Sequence, residues 1–81
     1  ALTGAQYSNY SKDGLKGVEI SKVEKGSPAE LRGLKKGDVI IGINRTQTET
    51  ISDLRKALDA KPSAIALNIV RDGANFYVLI Q

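Results

Sequence analysis

Apolar residues recur along the chain with two periods, and the switches between them map its elements. From Gly17 to Val23, Val18 and Ile20 fall on one face with Glu19 and Ser21 on the other, the period of two of a half-buried strand. Ile65, Leu67 and Ile69 alternate with Ala66, Asn68 and Val70, and Phe76, Val78 and Ile80 alternate again after the Asp72-Gly73 turn signal, which predicts a C-terminal hairpin. Val39, Ile40, Ile41 and Ile43 form a β-branched run too short for an independent helix and dense enough for a central strand, with Gly42 leaving space for close packing. Ile51, Leu54, Ala57 and Leu58 return at helical spacing instead, predicting an amphipathic helix through about Ala60 that Pro62 stops. At the start, Ala1 to Tyr7 reads as a short strand and polar Ser8 to Gly14 as a loop; Thr46–Thr48 has room for a short extra strand.

Local punctuation supports these boundaries. Ser27-Pro28-Ala29-Glu30 combines a serine N-cap, proline at the first helical position and a glutamate three residues on, which together open a brief helix. Gly33 suits the left-handed residue just past its end, with Leu34 folding back as the apolar contact. Thr50-Ile51-Ser52-Asp53 repeats the capping logic for the longer helix. The order strand, strand, short helix, strand, longer helix, strand, strand contains no repeat or linker and describes a strand-rich α+β domain. With 81 residues the chain has room for one such domain, spanning residues 1–81.

Composition narrows the chemistry. The chain has neither cysteine nor histidine, which removes disulfides, thiolate zinc sites, the commonest general base and the usual partner of a nucleophilic serine. Ser27 or Ser52 beside a lysine could imitate a serine–lysine pair, but N-cap positions explain both serines. Gly33 to Gly37 lacks the spacing and ending of a phosphate loop, and no acidic cluster has calcium-loop spacing. Asn44-Arg45-Thr46 matches a glycosylation sequon. The net charge of +3 is scattered, and the aromatics Tyr7, Tyr10, Phe76 and Tyr77 do not sit among the lysines, which argues against a nucleic-acid surface. No apolar stretch is long enough to span a bilayer, and Ala1 does not open a charged-then-apolar leader, so a soluble mature chain without membrane insertion is expected. Neither cofactor nor metal is expected.

Gly26 to Asn44, with its Ser-Pro-Ala helix start leading through Gly-Leu-Lys-Lys-Gly-Asp into an isoleucine-rich strand, resembles the core signature of PDZ domains. The stretches Ile51 to Asp59, Ala64 to Gly73 and Phe76 to Ile80 narrow the resemblance to bacterial HtrA/Deg periplasmic serine proteases, most closely to their second, C-terminal PDZ domain. The resemblance implies a PDZ-like, partly open β-barrel or sandwich of five to six strands with one short and one longer helix. It implies a non-catalytic accessory module in the periplasm, whose parent's catalytic residues lie on a separate domain.

PDZ domains take an extended peptide as an added strand at a sheet edge. Carried onto this chain, the resemblance puts the carboxylate-binding loop at Ala1 and Leu2 and the augmented strand at Thr3, Gly4 and Ala5, with Ala1 standing where the family has glycine. It puts the opposite wall on Ile51, Leu54, Arg55 and Leu58; the helical stripe alone would also make Leu54 core, and Arg55 either meets a carboxylate or lies in solvent. The implied partners are unfolded or C-terminal peptide segments with an apolar end and, alternatively, other PDZ domains of the same protease oligomer, which this module would help to assemble.

Overall fold

The computed structural model describes residues 4–60 and 63–80. In chain order the elements are β1 (Ala5–Lys12), β2 (Leu15–Val23), α1 (Pro28–Leu31), β3 (Val39–Ile43), β4 (Thr46–Gln47), α2 (Ile51–Asp59), β5 (Ile65–Arg71) and β6 (Ala74–Ile80). The strands form one open antiparallel sheet in the order β1-β2-β3-β5-β6, with the two-residue β4 pairing beside β3. One short and one longer helix accompany it, as the strand-rich α+β pattern predicts.

The first hairpin departs from expectation. Ser8 to Lys12 is not a loop but the second half of β1, paired residue by residue with β2 down to Lys12 opposite Leu15. The turn joining the strands is Asp13-Gly14, both at positive φ (51° and 83°), the two-residue geometry whose twist matches that of antiparallel strands. Asp72-Gly73 closes the β5–β6 hairpin in the same way, at 51° and 78°. The polarity of Ser8 to Lys12 has a tertiary cause: β1 is an edge strand, so its residues need not alternate into a core.

Both helices are capped by an acid that reaches one residue further back than the reciprocal box predicts. Ser27 Oγ accepts from the Glu30 amide at 3.3 Å, and Glu30 Oε1 accepts from the amide of Gly26, not Ser27, at 2.9 Å. At α2, Thr50 Oγ1 accepts from the Asp53 amide at 3.2 Å while Asp53 Oδ2 accepts from the Glu49 amide at 3.1 Å. In the first case the cap's own N–H already has a partner, the carbonyl of Glu24. α1 ends as predicted: Gly33, at φ 91°, donates to the Glu30 carbonyl and Leu34 to the Ala29 carbonyl, which buries Leu34.

Two bulges decide which apolar residues share the core. Gln6 pairs with Lys22 but Tyr7 with Ile20, so Ser21 is the extra residue and Val23 joins Ile20 against the core. Ile40 pairs with Ile69 but Gly42 with Asn68, so Ile41 is extra and Ile40 and Ile43, three apart, are both buried. They pack with Val18, Ala29, Leu34, Leu54, Leu67 and Ile69.

A buried ion pair ties the ends of this core. Asp38, 1% exposed, accepts from Arg71 through Nε at 2.8 Å and a terminal nitrogen at 2.7 Å, and from the Lys35 amide at 2.9 Å. The same guanidinium donates to the Gly33 carbonyl at 2.9 Å and stands 5.5 Å from the centre of the Phe76 ring. Its hydrogen bond to Asp38 holds Arg71 protonated even above its usual range. One arginine thereby joins the end of α1, the entry to β3 and the β5–β6 hairpin.

Candidate functional site

The candidate groove has β1 as one wall and α2 as the other. β1 has a single strand neighbour, β2, so the N–H and C=O groups along its other edge have no partner strand among the described residues. α2 packs across β1, β2 and β3. Alternation places Ala5, Tyr7 and Asn9 in one row on β1, and Ala5 and Tyr7 pack against the core. Asn9, at the far end of the row, reaches the helix: its Oδ1 accepts from the Ile51 amide at 2.8 Å. That bond satisfies an otherwise orphaned first-turn donor of α2 and fixes where strand and helix converge.

The predicted site residues divide into three groups. Ala1, Leu2 and Thr3 lie outside the described residues. Gly4 forms a turn at φ 96° immediately before β1, its carbonyl accepting from the Glu24 amide at 2.8 Å; a Cβ there would collide with the Ser27 side chain, so glycine is required. Ala5 is the first residue of β1. On α2, Leu54 is 2% exposed and belongs to the core, whereas Ile51 and Leu58 are half-buried at its border and Arg55 is exposed. On the helix, Ile51 and Leu58 are thus large apolar side chains left partly exposed, and Arg55 lies in solvent.

Two residues of the strand wall differ from what the polar pattern predicts, which ends a strand at Tyr7 and puts Asn9 in a loop, whereas both lie within β1. The Asp13-Gly14 pair was the available signal, since the same dipeptide at Asp72-Gly73 marks a hairpin. Tyr7 carries an unusual group. Its hydroxyl is buried without a hydrogen-bond partner, and burial pushes its pKa up to about 12 from an ordinary 10.0.

Among the described residues, two of the cavities bear on the surroundings of the site. One, of about 400 Å³, sits at the start of α2 and is bordered by Asn9, Tyr10, Thr50 and Asp53. The other, of about 510 Å³, lies on the outer face of the sheet over Gly42, Ala66, Asn68 and Tyr77. Beside it, the Asn44 side chain accepts from the Ala66 amide at 2.9 Å and donates to the Ala64 carbonyl at 3.0 Å. Asn44 thus continues the β3–β5 pairing, and the sequon's amide nitrogen is already engaged.

Residues 2–70 match the family described as PDZ domain. The chain is 53% identical over its whole length to a probable periplasmic serine protease do/HhoA-like of Haemophilus influenzae, and 51% identical to the periplasmic pH-dependent serine endoprotease DegQ of Escherichia coli. It spans only 17% and 18% of those two proteins. Its fold is that of the HtrA3 PDZ domain solved bound to a phage-derived ligand, FGRWV, with a TM-score of 0.82 at 20% identity over 95% of this chain and 79% of that one.

Proposed function

Because the chain belongs to the PDZ-domain family, we propose that it takes an extended, apolar-ended polypeptide segment as an added strand on the free edge of β1. The observation that supports this most directly is the position of β1, an edge strand with a helix packed beside it and half-buried Ile51 and Leu58 at the helix border. Main-chain bonds to the strand hold the segment, and its apolar side chain settles toward Leu58. A few such bonds and one pocket correspond to an affinity on the order of micromolar once ordering is offset. The chain itself is a non-catalytic module. In a periplasmic HtrA-type serine protease, such as the relatives are named, it would present unfolded or C-terminal segments to a catalytic domain that lies outside it.

An NMR titration with an apolar-ended peptide such as FGRWV tests the groove. Shifts are expected along Ala5 to Asn9 and Ile51 to Leu58, and Leu58→Asp is expected to abolish them. An unperturbed spectrum at about 1 mM peptide, a concentration well above a micromolar Kd, would sink the reading.

A second reading rests on a separate observation. Tyr77 and Leu79 are 74% and 63% exposed on the outer face of the sheet, beside the 510 Å³ cavity, and an apolar patch of this kind fits docking onto a neighbouring PDZ domain of the oligomer. Tyr77→Ser and Leu79→Ser in the full-length protein are then expected to reduce the size of its assembly. Unchanged size would count against docking.

A further inference from the structure

Among the described residues, three of the four exposed large apolar side chains lie on β6: Phe76, Tyr77 and Leu79, with only Leu31 elsewhere. They project from both faces of the strand. Phe76 stands opposite Ile69, on the core side, whereas Tyr77 and Leu79 stand opposite Asn68 and Ala66, on the outer side. A partner seated on the outer face would cover Tyr77 and Leu79 and leave Phe76 in water. A strand added along the edge covers both faces at once.

That edge is unguarded. Among the described residues β6 has β5 as its single neighbour in the sheet, and their pairing runs without a bulge from Ala74 to Ile80. The strand contains no charged residue and no proline. Edge strands ordinarily carry lysine, proline or a bulge against unwanted pairing. The opposite edge strand, β1, ends on Lys12 and has an irregular register with β2.

The geometry of the hairpin identifies which groups face outward. Asp72-Gly73 is a two-residue turn, so Arg71 and Ala74 form the hydrogen-bonded closing pair. Alternation then turns the N–H and C=O groups of Asn75, Tyr77 and Leu79 away from β5.

We propose that β6 pairs edge to edge and antiparallel with β6 of a second copy of this chain, around a twofold axis at Tyr77. Tyr77 then faces Tyr77 of the second copy, Phe76 faces Val78 and Asn75 faces Leu79, with about six main-chain hydrogen bonds across the axis. Aromatic–aromatic and aromatic–β-branched partners are favourable cross-strand pairs. A strand without charge meets its own copy without repulsion, and the twofold contact closes on itself, whereas pairing of β6 with β1 of the next copy would propagate into a filament. This deepens the docking reading by naming the strand edge, in place of the outer face, as the contact.

Sedimentation of the chain from about 0.01 to 1 mM, combined with amide exchange, tests it. A concentration-dependent dimer is expected, in which the amides of Asn75, Tyr77 and Leu79 gain protection together. Asn75→Pro removes one outward amide without touching an apolar side chain and is tolerated at an edge, so it is expected to weaken the dimer by about tenfold or more while far-UV circular dichroism stays unchanged. A monomer at every concentration would overturn the proposal. A dimer in which those three amides exchange freely, or one indifferent to Asn75→Pro, would overturn edge pairing and leave outer-face docking standing. Failure of docking as a whole is read separately, from the full-length assembly carrying Tyr77→Ser.

Discussion

Arg71→Leu should be among the most damaging single changes outside the apolar core. The substitution keeps bulk and apolar contact but removes both charged hydrogen bonds to Asp38, leaving a carboxylate that is 1% exposed with the Lys35 amide as its remaining partner. Breaking a buried pair from one side costs about 3–5 kcal/mol, because the surviving charge stays desolvated. Arg71's side chain is itself 25% exposed, so water can enter part of the vacated space and about 3 kcal/mol is the better expectation. A fold of this size holds roughly 4–12 kcal/mol in total. The loss should therefore lower the thermal midpoint by about 12–24 °C, at 4–8 °C per kcal/mol for domains of this length. Urea unfolding followed by circular dichroism measures it. Asp38→Asn in the same chain removes the stranded charge and keeps an acceptor for Lys35, so the double variant should be more stable than Arg71→Leu alone. If Arg71→Leu costs less than about 1 kcal/mol, or if the second substitution adds a further loss, the pair does not hold the fold in the way argued.

Tyr7→Phe is expected to stabilise the domain by about 1 kcal/mol at neutral pH, since it removes a buried hydroxyl that has no partner. The same residue sets an alkaline limit. With its pKa raised to about 12 in the fold against 10.0 unfolded, the native state holds the proton longer, so stability is complete below pH 10 and falls as pH rises from 10 toward 12. Denaturation curves from pH 9 to 11 should show a shallower decline for Tyr7→Phe than for the natural chain. Asn9→Ala removes the acceptor for the Ile51 amide across an exposed bond; it should cost about 0.5–1 kcal/mol and accelerate exchange at that amide, and unaltered exchange would show that Asn9 does not hold the helix. Gly17→Ala puts a methyl 2.5 Å from the Ile40 carbonyl oxygen and 2.8 Å from Val39 Cγ1, both buried, and should cost about 3 kcal/mol by overpacking, readable in the same urea assay.

The amino-acid sequence by itself determined the features whose partners lie within about one turn. The Ser27 and Thr50 caps, the Gly33 stop and the Asp72-Gly73 hairpin all form between residues a few positions apart, and propensity and turn chemistry suffice to place them. The amphipathic stripe of α2 was legible for the same reason, and the family resemblance placed it on a groove wall. Leu54 is core, as the stripe alone makes it; only the tertiary structure decided that Ile51 and Leu58 remain at the core's border, because that depends on how the helix lies across the sheet. Ser8 to Lys12 became a strand through pairing with β2, its polar composition reflecting an open edge. The bulges at Ser21 and Ile41 shifted core faces by one residue, and such shifts follow from register between strands, not from either strand alone. The bonds joining Asn9 to Ile51 and Asp38 to Arg71 connect residues 42 and 33 positions apart. No local pattern encodes a partner at that separation, since a polar side chain satisfies itself equally well in water until the fold brings its mate alongside.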